Sequence, residues 1–158
     1  MYEKTVTIFN YYESATTGDA YWYPHVLSCV DLIMDKGAIL KKYGPDVTDN
    51  AQLHVIYYMH VTDPKDTRKL ITTKSGLVLW VPPKKWKNQT NDLLSKTITF
   101  SPESDFFWEG EWDKGVVNDD DYRGGFYQYM NQSKDNVFKI TSVGGPYILI
   151  PHFEILAK

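Results

Sequence analysis

Four histidines, His25, His54, His60 and His152, are the side chains best suited to hold a metal ion or move a proton near neutral pH. His54 and His60 share one face of an alternating segment, so a strand sets them about 20 Å apart at roughly 3.3 Å per residue. Ligands of a single zinc ion each lie about 2 Å from it, so this pair does not chelate one ion. His25 and His152 each follow a proline in an extended segment, and nothing in their spacing brings them together. No metal set is therefore assigned. Asp119, Asp120 and Asp121 form an acidic run. A calcium loop needs alternating oxygen ligands, a central glycine and a terminal glutamate, and the run has none of these. It reads instead as the acidic start of a helix, where negative charge meets the positive end of the dipole.

Nucleophilic and nucleotide chemistry leave no better trace. The sequence has no glycine-flanked serine elbow, no phosphate loop and no glycine-rich dinucleotide fingerprint. Gly144 and Gly145 precede Pro146, which is turn chemistry. Glu109 and Glu111 alternate, so one strand face would carry both at about 7 Å. Carboxylates at such separations perform acid–base work on glycosides, and Trp108 and Trp112 would give a sugar its aromatic platform. A surface strand with solvated glutamates explains the same residues. The expectation is a protein without catalytic residues and without a cofactor.

The elements that would position these residues are mostly strands. Thr5–Phe9 is β-branched and aromatic, and Tyr21–Met34 reads as extended, with Pro24 marking an edge or a bulge. Asp35 is placed to cap a short helix carrying Ala38, Ile39, Leu40 and Tyr43, ended by Gly44-Pro45. Leu53–Val61 alternates most clearly: Leu53, Val55, Tyr57, Met59 and Val61 oppose His54, Ile56, Tyr58 and His60. Neither face is strongly polar, which predicts a strand covered on both sides or lying at an interface. Lys69–Thr73 and Gly76–Val81 predict a hairpin. Pro83 opens a helix with Trp86, Leu93 and Leu94 on one face. Thr97–Phe100 and the aromatic stretch Asp105–Trp112 are extended. A helix from Asn118 would place Tyr122, Phe126, Tyr129 and Met130 together, with Gly124 and Gly125 inside it at about 1 kcal/mol each. Asn136–Ser142, a turn at Val143–Pro146, a buried strand Tyr147–Ile150 and the closing segment Pro151–Ile155 complete the chain. Strands joined by short turns, with two or three brief helices, predict one mainly β domain over residues 1–158, a small barrel or sandwich.

Composition fits this. Of 158 residues, 42% are hydrophobic, 23% charged and 15% aromatic, so a sizeable aromatic β core is expected. The net charge of −3 lacks the basic excess that phosphate-backbone binding requires. The single cysteine, Cys29, permits no internal disulfide, and its apolar surroundings predict a small buried side chain. No stretch has the roughly 20 apolar residues that span a bilayer, and Met1–Thr5 lacks a signal-peptide pattern. A soluble protein made in a cytoplasm, without membrane partners, is expected.

An ordered set of short segments carries a resemblance. It runs through Thr5–Phe9, Trp22–Leu27, Lys41–Gly44 ahead of Asp49–Ala51, Pro82–Trp86, Thr99-Phe100 before Asp105–Phe107, Gly110–Trp112, Ile140–Gly144 and Ile150–Ile155. The set resembles small proteins encoded in the structural-gene clusters of phages and prophages of Gram-positive bacteria, beside minor capsid and head–tail connector genes. Leu156-Ala157-Lys158 departs from the glycines expected after the final Phe-Glu-Ile. The resemblance implies a virion protein, made in the host bacterial cytoplasm, of the head-completion, stopper or tail-completion kind. It implies no catalytic residue.

On that reading the partners are copies of the chain in a ring, portal or adaptor proteins and tail proteins, with DNA passing the channel without sequence-specific binding. Ring subunits meet head to tail and need two different sticky faces. His54, Ile56, Tyr58 and His60 form one candidate face, and Phe106, Phe107, Trp108 and Trp112 the other. Asp113, Asp119, Asp120 and Asp121 belong to a candidate channel loop whose charge repels DNA. Two alternatives stand beside it: a carbohydrate-binding module built on Trp108, Trp112, Glu109 and Glu111, and a phage-encoded inhibitor of a host defence enzyme.

Overall fold

The β-branched and aromatic runs become strands in the computed structural model, which describes residues 3–34, 50–59 and 62–158. The strands are β1 (Lys4–Glu13), β2 (Ala20–Ile33), β3 (Ala51–Ile56), β4 (Leu70–Thr73) and β5 (Gly76–Trp80), then β6 (Thr97–Ile98), β7 (Phe106–Glu109), β8 (Val117–Asn118), β9 (Val137–Tyr147) and β10 (His152–Ala157). Among the described residues three short helices accompany them, α1 (Pro83–Lys87), α2 (Asn91–Lys96) and α3 (Phe126–Ser133), with a 3-10 turn at Asp119–Asp121. The order β1-β7-β9-β10-β3-β2 closes on itself, because β2 also pairs with β1. The result is a six-stranded antiparallel barrel, with β8 added to the outside of β2.

Two long strands turn the corners of this barrel. Tyr21–Val30 of β2 pairs within the range Lys4–Tyr12 of β1, whereas Asp31–Ile33 pairs with β3. Within the first stretch, between Leu27 and Val30, the register slips by one residue, and Cys29 adopts φ 61°. An extra residue of this kind bends a strand and strengthens its twist. It also turns Cys29 outward, so the side chain expected inside is exposed. The bulge of β2 lies here rather than at Pro24, which stays in register opposite Phe9. β9 bends in the same way. Val137–Lys139 pairs with β7 and Ile140–Tyr147 with β10, where Thr141 is the extra residue between Ile140, opposite Ala157, and Ser142, opposite Leu156. Its hydroxyl donates to the Leu156 carbonyl at 3.0 Å, tying the bend down.

Three packed clusters hold the structure. Inside the barrel, Val6, Ile8, Leu27, Leu53, Val55 and Phe107 join Phe138, Phe153 and Ile155, and the β4–β5 hairpin adds Ile71 and Val78. The interior is filled by side chains, as small barrels require. Outside it, Phe9, Trp22, Phe106 and Trp112 pack beneath Phe126 and Met130 of α3. Strand β1 is thus buried on both faces, Ile8 inward and Phe9 outward. Tyr23, Val81, Trp86 and Leu94 form a third cluster around α1 and α2.

Several boundaries differ from the sequence reading. The face of Trp86, Leu93 and Leu94 is split between α1 and α2, and Leu93 is exposed. Gly124 and Gly125 lie before α3 with φ 80° and 96°, conformations that suit glycine and not a helix interior. The hairpin of β4 and β5 is as expected. Strand β3 ends at Ile56. Val61 and the helix expected from Asp35 to Tyr43 lie outside the described residues. The stretch Val143–Pro146, expected as a turn, belongs to β9, and Ile148–Ile150, expected as a buried strand, is the turn.

Candidate functional site

Antiparallel pairing sets Asp31 of β2 opposite His54 of β3, and His54 opposite Glu154 of β10. The three lie on one rung of the outer face, since Leu53, Val55, Phe153 and Ile155 take the inner one. His152 is two residues from Glu154 and so shares its face. The rings of His54 and His152 stand 5.8 Å apart. Glu154 Oε1 lies 3.4 Å from His152 Nε2 and 3.8 Å from His54 Nε2. On the far side of His54, Nδ1 faces Asp31 Oδ2 at 3.7 Å. His152 Nδ1 lies 2.5 Å from the Ile150 carbonyl. A carbonyl only accepts, so that nitrogen is the donor and Nε2 of a neutral ring is an acceptor. The Gln52 side-chain amide also meets His54 Nε2, at 3.0 Å, so the polar groups of this rung partner one another.

Directly beyond it projects the β9–β10 turn. Ile148, Leu149 and Ile150 are 76%, 100% and 73% exposed, with Tyr147 beside them 43% exposed. The base of the turn is anchored, because the Tyr57 hydroxyl donates to the Tyr147 carbonyl at 2.5 Å. Burial holds the Tyr57 phenol above its ordinary pKa, so it stays a donor. Three adjacent aliphatic side chains in water are an apolar patch held on a fixed support.

The expected residues fall into distinct places. Of the first candidate face, His54 and Ile56 are partly buried on the outer surface, Tyr58 is exposed, and His60 lies outside the described residues. The second candidate face is corrected by burial. Phe106 and Phe107 are wholly inaccessible, one in the outer cluster and one inside the barrel, and Trp112 is 9% exposed. Alternation on a strand with a core on each side hides both residue sets, leaving only Trp108 partly accessible, with Lys134 over its ring at 5.7 Å. Glu109 and Glu111 do not act together: Glu109 approaches Lys4 at 3.9 Å, and Glu111 pairs with Lys74. In the candidate loop, Asp113, Asp120 and Asp121 are exposed. Asp119 is fixed, its Oδ1 accepting from Trp22 Nε1 and from the Phe126 backbone N–H, each at 2.8 Å. The acidic run does serve a helix start, but the capping residue is seven positions upstream of Phe126 and reaches it by folding back.

Sequence reasoning missed the neighbourhood of His54 with His152 and Glu154, which only the β3–β10 register creates. It also missed the exposed turn. Pro146 and Pro151 bracket the apolar run there, and that bracketing was the available signal. Residues 1–158 match the family described as a family of unknown function (DUF6751), and the chain belongs to it. No curated protein and no solved structure matches the chain.

Proposed function

We propose, for this member of a family of unknown function, a non-catalytic role in the phage virion, as a ring subunit of the head–tail junction. Its work is assembly: with copies of itself, with portal or adaptor proteins, and with tail proteins. The observation that carries this reading is the Ile148-Leu149-Ile150 turn, which presents apolar side chains that the chain's own described residues do not cover. Such a patch on a rigid barrel is what a neighbouring protein buries. The resemblance of the ordered segments supplies the setting. Because the barrel interior is filled, DNA would pass between subunits of a ring and not through any one barrel. Exposed Asp113, Asp120 and Asp121 would repel the DNA rather than grip it.

Burial counts against the carbohydrate reading, since Trp112 has no free face for a sugar. An inhibitor of a host enzyme would use an apolar turn equally well, and composition of the particle separates the two. Mass spectrometry of purified virions is expected to find the chain, and phage lacking its gene is expected to accumulate unjoined heads and tails. Virions free of the chain, from a mutant that still joins tails, would end the proposal.

A further inference from the structure

We propose that this chain associates head to tail with a second copy of itself, the lysine-rich outer side of α1 and α2 meeting the acidic turn Asp119–Asp121 of its neighbour. The inference rests on the ring-subunit reading and names the contact between copies that a ring needs. Its starting point is an uneven distribution of charge. Residues 65–96 hold eight basic and two acidic residues, in a chain with 17 basic and 20 acidic. Part of that excess lies on α1 and α2, where Lys84, Lys85, Lys87 and Lys96 are exposed around the buried Trp86 and Leu94. Asp92 is the one acidic residue of these two helices. Lys85 also lines a surface hollow with Arg68, Lys69, Trp80 and Pro82. Acidic charge gathers elsewhere. Asp120 and Asp121 are exposed, and Arg123 is the nearest basic residue to them in the sequence. Burial, then the charges of Glu13, Asp119 and Asp120, raise the Tyr11 phenol above its ordinary pKa, so these carboxylates surround one ring.

Strand geometry keeps the two patches apart, because successive side chains of a strand point to opposite faces. On β1, Tyr12 meets Trp86 of α1 while Tyr11 meets Trp22. On β2, Tyr23 meets Trp86, whereas Trp22 meets Phe126 of α3 and donates to Asp119. The basic helices and the acidic turn therefore cover opposite faces of the β1–β2 ribbon. No ion pair joins Lys84, Lys85, Asp120 or Asp121 to any described residue, so their charges are free for a neighbour. Unlike patches that face away from each other cannot both be used within one pair of copies. The contact is thus heterologous, and it forms a ring where the rotation between copies closes. Each patch also has an apolar centre. Leu93 on α2 is 46% exposed, and Tyr129 on α3 is 39% exposed, with the Tyr122 ring 4.7 Å from it. Those tyrosine rings offer faces to lysine ammonium groups. A second copy suits the basic patch better than nucleic acid does, since each chain also carries the acidic patch, which repels phosphate. Asp120 and Asp121 then answer the neighbour's lysines, and Asp113 is the acidic residue left toward DNA.

The test is velocity sedimentation of the full chain at about 0.01 M and about 1 M sodium chloride, where charges act over about 30 Å and about 3 Å. Oligomers are expected at low salt and monomers at high salt. Two double variants break one patch each: Lys84→Gln with Lys85→Gln, and Asp120→Asn with Asp121→Asn. All four side chains are exposed, and thermal unfolding confirms that each variant is folded. Each alone should associate at least tenfold more weakly than the parent. Mixed in equal amounts, the two still hold one intact patch apiece, so they should form a dimer that grows no further. A parent that is monomeric at low salt overturns the proposal. So does association that either variant retains, or a mixture that stays monomeric. Duplex DNA bound by the parent and lost by the lysine variant, without self-association, would give the basic patch to nucleic acid instead. Virions that lack the chain would end the ring-subunit reading and leave this contact standing, whereas a monomeric parent removes the contact and leaves the chain's place in virions open.

Discussion

At the scale of single residues, two buried ionisable groups set the acid response, and they oppose each other. His25 is buried on β2, where its Nε2 donates to the Thr97 carbonyl at 2.8 Å. Burial lowers its pKa to about 4 against that hydrogen bond, so the ring stays neutral in the fold. The unfolded chain binds the proton more readily, so this stabilisation is present above about pH 6.5 and is lost as pH falls toward 4. The shift corresponds to about 3 kcal/mol. Asp105 has the reverse sign. Burial pushes its pKa up to about 7, although it accepts from Tyr11 N, Ser101 N and the Asn10 amide. The folded state therefore holds the Asp105 proton more tightly, a contribution present below about pH 4 and lost as pH rises through 7. Between pH 4 and 6.5 the two slopes run against each other in the parent protein. His25→Gln, which keeps a donor for Thr97, is expected to become more stable on acidification over that range. Asp105→Asn is expected to become less stable over it, and to lose about 1–3 kcal/mol at neutral pH because an amide donor now faces backbone donors. Urea midpoints from pH 4 to 7 read both slopes. Parallel profiles in the two variants would contradict the assignment.

Among elements, α3 depends on a residue outside itself. Asp119 accepts from the first backbone N–H of the helix and from the Trp22 indole, so it fastens α3 to β2. Asp119→Ala removes a cap worth about 1 kcal/mol and leaves an indole donor unpaired at a further 1–3 kcal/mol or so. A chemical-denaturation midpoint is expected to fall by the sum, while Asp120→Ala, on an exposed side chain, should change it little. The same elements show what the sequence made legible. Period-two alternation in Leu53–Ile56 and the turn residues between Thr73 and Gly76 marked strands and a hairpin, since both signals are local. Closure was not legible, because pairing β1 with β7 joins residues such as Ile8 and Phe107 that are far apart in the chain. Phe106 and Trp112 looked like a binding face for a related reason: a strand between two cores and a strand at an interface carry the same apolar pattern. The cluster around Glu154 was hidden more deeply still. Asp31, His54 and the His152–Glu154 pair sit on three different strands, and only strand register brings the three together.

For the molecule as a whole, the barrel core and the outer aromatic cluster share strands, so neither can come apart alone. Phe9 and Ile8 are neighbours on β1 yet belong to different clusters, and Phe126 closes the outer one at 5.1 Å from Phe9. Phe126→Ala is expected to cost about 3–5 kcal/mol and to lower the unfolding midpoints seen by tryptophan fluorescence and by far-UV circular dichroism together. Separate midpoints would show two independent units instead. The β9–β10 turn is the exception to this shared packing. Leu149 touches solvent on all sides, and Ile148 and Ile150 nearly so, so the fold gains little from them. Replacing all three with serine should move the unfolding free energy by no more than about 0.5 kcal/mol, the usual range for surface positions. If the turn is what neighbours bury, the same replacement removes assembly. Sedimentation of the parent chain with the proposed portal-side and tail-side partners should then show complexes that the serine variant does not form. A variant of unchanged stability that assembles as the parent does would remove the turn from the contact and take with it the main structural support for a ring subunit.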